Sequence, residues 1–83
     1  MQRDLKVQTS QDAHDRMRAR GFVTVERAAK RAEQAAPTLY RWMDLKLIGR
    51  AKVGRRVYVD WASLVAYLPP EIRVALKLDP GKP

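Results

Sequence analysis

Apolar residues recur along this chain in four helical stripes, and one stretch between them alternates instead. Val25, Ala28, Ala29 and Ala32 fall at i, i+3, i+4 and i+7, which predicts a helix from a Thr24 cap to about Ala32 with one small-residue face buried. Glu26 sits near its positive end, and Arg27, Lys30 and Arg31 lie off the buried face, towards water or a partner. Glu33-Gln34-Ala35-Ala36 reads as a connection, and Pro37 suits the first position of a second helix running to about Leu45. Leu39, Trp42 and Met43 form its inner face. Arg41 points most directly away from that face, with Pro37 and Asp44 beside it and Thr38 and Tyr40 flanking.

The alternating stretch is Arg50 to Val59, two short strands joined by a turn at Gly54-Arg55. Val53, Val57 and Val59 are placed to pack inward. After it, Asp60 is the expected cap of a helix from Trp61 to Leu68, with Trp61, Leu64, Val65 and Leu68 as its stripe and both tryptophans in the core. Pro69-Pro70 ends that helix. A short last helix from Glu71 to Leu78 carries a stripe of Ile72, Ala75 and Leu76, with Val74 and Leu78 off it. That is more apolar surface than a terminal helix needs, so Ile72, Val74, Leu76 and Leu78 are candidates for docking on the domain or on a neighbouring protomer. Asp79 to Pro83 reads as a frayed end.

Residues 1–21 read as an N-terminal extension with a helix over 10–20, and residues 1–8 show no pattern. Thr9 or Ser10 is the expected cap, Asp12 lies in the first turn, Arg16, Arg18 and Arg20 load the last turns, and Gly21 is the stop. The apolar stripe is thin, Ala13 and Met17, helped by Leu5 and Val7. His14, the one histidine, stands among polar neighbours and reads as a surface residue. The expected division is therefore 1–21, a domain over 22–68, and a short helix with tail over 69–83.

Composition sharpens the picture. The 83 residues suffice for a single small domain, and the net charge of +8 favours a polyanion, nucleic acid before membrane. Arg50, Lys52, Arg55 and Arg56 place four positive charges around the Gly54 turn with no acid among them. A hairpin this basic and this short suits a phosphate backbone better than a core. The chain has no cysteine, so a disulfide framework or thiolate metal site is excluded. No apolar run reaches membrane-spanning length, and Met1-Gln2-Arg3-Asp4 does not open a signal peptide. An enzyme is not expected: there is no Gly-rich phosphate loop and no suitable carboxylate pair, since Asp12 and Asp15 read as a solvated face and Asp60 as a cap. No cofactor or metal is expected either.

The run Phe22-Val23-Thr24-Val25-Glu26-Arg27-Ala28-Ala29-Lys30-Arg31, then Thr38-Leu39-Tyr40-Arg41-Trp42-Met43, then Gly49 and Val53-Gly54-Arg55-Arg56-Val57-Tyr58-Val59-Asp60, resembles the excisionase-type branch of the MerR-like winged-helix DNA-binding domains over residues 22–68. The fold so implied is mainly α with a small β-hairpin, a single small winged helix-turn-helix domain. The resemblance implies a phage or mobile-element protein of the bacterial cytoplasm. Its second helix would enter the major groove through Thr38, Tyr40 and Arg41, with a wing carrying Arg50, Lys52, Arg55 and Arg56, and Arg27, Lys30 and Arg31 would lend support from the first helix. Some family members are recombination directionality factors. They bind side by side at attachment sites, bend the DNA and help an integrase run excision. That implies double-stranded DNA, a tyrosine integrase and head-to-tail copies of the chain as partners. Others are transcription regulators, or the DNA-binding ends of small terminase subunits, and a protein-binding adaptor is the reading from another class. The chain departs from the family at Ala32-Glu33-Gln34-Ala35-Ala36-Pro37, where the usual turn glycine and helix-start arginine are missing. The expectation is therefore DNA binding dominated by phosphates, with little direct base reading.

Overall fold

The structure, a computed structural model, describes residues 12–83. Residues 12–19 are helical (α1), and Gly21 ends the helix at φ +85°, its N–H donating to the Arg18 carbonyl. Next come β1 (Phe22–Thr24), α2 (Val25–Ala32), α3 (Ala36–Asp44), β2 (Arg50–Val53), β3 (Arg56–Asp60), α4 (Trp61–Tyr67) and α5 (Pro70–Ala75). Among the described residues the chain is thus a mainly helical unit of five helices and one antiparallel sheet of three strands.

The sheet has the order β1-β3-β2, so the expected hairpin gains a third strand. Val23 sits opposite Val59 and Thr24 opposite Tyr58, while Lys52 opposes Val57 and Ala51 opposes Tyr58. Side chains alternate across a strand, so Val59 and Val23 enter the core together while Tyr58 faces the other way. Tyr58 is nonetheless 2 % exposed, because α1 covers that side: His14 Nδ1 and the Tyr58 hydroxyl are hydrogen-bonded. The surface assignment of His14 is therefore corrected. It is half-buried and supplies the partner that a buried phenol needs. The expected caps Thr9 and Ser10, and Leu5 and Val7, lie outside the described residues.

On the other side of the sheet, Ala28 and Ala32 of α2, Leu39 and Met43 of α3, Trp61, Leu64 and Val65 of α4, and Leu68 beyond it close around Val59. Thr24 caps α2 as its sequence predicts, accepting from the Arg27 N–H at 3.3 Å. Trp61 is fully buried and also donates from Nε1 to the Asp79 carbonyl at 2.7 Å. That bond, the burial of Leu78 beside it and the bridge from Asp79 to Lys82 tie down the end expected to fray.

Two further expectations are corrected, and a third, the docking of the apolar set after Pro70, is decided in favour of the domain for most of its members. Trp42 is core only in part: half-buried, it packs against the core from outside and lies edge-on to Tyr67 with ring centroids 5.0 Å apart. Asp60 stands at the N-cap position of α4, but its carboxylate makes no capping bond. Instead the Ser63 hydroxyl donates to the Asp60 carbonyl (2.8 Å) and accepts from the Gly49 N–H (2.7 Å). The apolar set after Pro70 is largely consumed by the chain itself. Leu78 joins the core, Ile72 and Leu76 pack against it, and of the four only Val74 stays open, at 78 % exposure.

Candidate nucleic-acid interface

Each positively charged side chain in question is placed by an element with a local reason to form. The hairpin turns because Gly54 adopts φ +60°, where a Cβ would be strained. Val53 then pairs with Arg56 and Lys52 with Val57, which fixes the register of the cationic tip. Across from it, α3 is set by a turn that has no glycine: Glu33 itself takes the left-handed conformation at φ +51°. Its N–H and that of Gln34 return to carbonyls of α2, the Gln34 N–H to Ala29 at 2.9 Å. Pro37 then lies within the first two positions of α3, where its missing N–H costs no hydrogen bond.

The result is a groove of about 570 Å3 between the hairpin and the helices. Tyr40 of α3 lines one side and Arg55 and Arg56 of the hairpin the other, with Thr24, Glu26 and His14 along its length. Tyr40 is 42 % exposed, so its ring is open to a partner. The structure thus brings together three of the residues singled out by sequence. Thr38, Arg41, Lys52 and the α2 cations Arg27, Lys30 and Arg31 are outside the lining of this groove. All of these except the half-buried Thr38 are exposed.

Arg50 belongs elsewhere. It lines a second depression with Asp44, and its Nη1 lies 3.2 Å from the Asp44 Oδ1. Both side chains are exposed, so the pair is weak, but it withdraws Arg50 from the uncompensated charge of the hairpin. Lys52, Arg55 and Arg56 make no salt bridge among the described residues. Periodicity carried no signal for two polar members of the surroundings, His14 and Arg18. They reach the sheet only because α1 folds over Tyr58.

Chemically the groove offers a phenol ring for stacking or hydrogen bonding and two guanidinium forks that fit phosphate oxygens. The described residues contain no cluster of three or more metal-ligating side chains, and none of their helices is long and apolar enough to cross a membrane. Compared with known proteins, the chain matches no family model, no curated protein and no solved structure.

Proposed function

We propose that the chain is a winged helix-turn-helix protein that binds double-stranded DNA as an excisionase, bending attachment sites and directing a tyrosine integrase towards excision in the bacterial cytoplasm. In this reading α2 and α3 are the helix-turn-helix, α3 enters the major groove and the β2–β3 hairpin is the wing. The observation that carries it is the groove shared by Tyr40, Arg55 and Arg56, which joins the two parts that must touch one duplex. The exposed Arg41 on the outer face of α3 supports it. The excision role itself leans on the resemblance of residues 22–68 described above. The reading asks for no catalytic group, cofactor or metal.

Affinity comes chiefly from counterion release. With Arg27, Arg41, Lys52, Arg55 and Arg56 near phosphates, log K should fall against log salt with a slope of about −4.5. The test is fluorescence anisotropy of a labelled attachment-site duplex over a salt series, and a flat response overturns the reading. A promoter regulator would bind through the same groove. Bending of the duplex with stimulation of integrase-dependent excision separates the excisionase from it.

A further inference from the structure

Beside the groove lies a second, smaller pocket of about 220 Å3, and the N-terminal helix helps to build it. Arg18 of α1, Arg27 of α2 and Arg56 of β3 all line it, together with His14, Thr24 and Tyr58. The other polar groups there are already engaged: His14 with the Tyr58 hydroxyl, and Thr24 Oγ1 with the Arg27 N–H. Among the described residues Arg27 and Arg56 make no salt bridge. Arg18 is held 2.8 Å from Asp15, but both partners are more than half exposed, at 57 % and 53 %, so that pair yields readily to a stronger anion. Glu26 lines the neighbouring groove and not this pocket. Three arginines from three separate elements therefore line one small space with no carboxylate in its lining.

We propose that this pocket is a phosphate-binding site, and that α1 is present to complete it. Guanidinium forks match phosphate oxygens two at a time. At about 30 Å3 per water, the space holds one phosphate group and a few waters. The pocket shares His14, Thr24 and Arg56 with the groove, so the two adjoin. A DNA strand seated between α3 and the hairpin would run on into it, and in that form the proposal rests on the DNA-binding reading. The same chemistry would also accept the phosphate of a small phosphorylated ligand.

The experiment has two arms. In the first, the full chain is titrated with inorganic phosphate, against chloride at equal ionic strength, while the arginine Nε–Hε resonances are followed by NMR. A saturable shift confined to Arg18, Arg27 and Arg56 is expected. A uniform, unsaturating drift of all the arginines overturns the pocket. In the second arm, Arg18→Gln is compared with the unaltered chain for binding to duplex DNA. Arg18 is exposed, so folding should be retained, and circular dichroism checks it. A roughly threefold to tenfold loss of affinity, with a salt slope shallower by about 1, assigns the phosphate to the DNA backbone. Unchanged DNA binding beside a saturating phosphate titration assigns the pocket to a small phosphorylated ligand. Failure of the duplex to bind at all removes the DNA-binding reading and leaves the pocket standing on the first arm.

Discussion

His14 of α1 and Tyr58 of β3 are hydrogen-bonded across 44 positions of sequence, with ring centroids 5.7 Å apart. This contact turns a thin-striped helix into a lid on the back of the sheet. Deleting one partner leaves the other polar group poorly satisfied in a half-buried place, which costs more than deleting both. His14→Ala should therefore lower unfolding stability by about 1–2 kcal/mol. Tyr58→Phe should cost less, because it removes the group that needs a partner. A double-mutant cycle by urea denaturation should give a coupling of about 0.5–1.5 kcal/mol. Strict additivity would mean that α1 is not held by this bond.

Glu33 and Gly54 have nearly the same left-handed φ, +51° and +60°, with opposite residue types. A Cβ at Gly54 would meet nothing within 4 Å, so the penalty for one there is purely of backbone origin. Gly54→Ala should destabilise by about 1 kcal/mol and Glu33→Gly should stabilise by a similar amount. Thermal melts of the two variants check this, and shifts of the same sign would remove the argument.

These positions also show what the sequence made legible. Gly54 between alternating valines marks a hairpin, and the spacing of Val25, Ala28 and Ala32 marks a buried helix face, because both are local periodicities. Phe22–Thr24 could not be read as a strand: three residues show no period, and pairing with β3 creates the element. The docking of α1 and the anchoring of Asp79 by Trp61 depend on partners distant in the chain. Neither leaves a local trace. In the groove, residue type pointed to Tyr40, Arg55 and Arg56 one by one, but their convergence is a property of the fold.

The Asp44–Arg50 pair sets up a trade between stability and binding. It is exposed on both sides, so Asp44→Asn should change stability by less than about 0.5 kcal/mol. The same change releases Arg50 and removes a negative charge from the end of α3. Affinity for duplex DNA should rise about threefold at low salt and converge with that of the unaltered chain at high salt. An unchanged low-salt affinity would place this corner away from the DNA.

The hairpin tip provides the strictest test, because net charge and position can be separated. Arg55 and Arg56 are exposed and make no salt bridge among the described residues, so replacing both with alanine should leave the melting temperature nearly unchanged. If they hold phosphates, the double variant should bind duplex DNA about tenfold to a hundredfold more weakly, with a salt slope shallower by about 2. Lys77→Ala with Lys82→Ala removes the same charge from the turn after α5 and from the tail, neither of which lines the groove. Long-range attraction alone would make the two double variants equal, since it counts only the total charge. Anisotropy titrations of both on one duplex decide the matter: a large loss for the hairpin pair and a small one for the tail pair locates the contact at Gly54, and equal losses remove the hairpin from the interface.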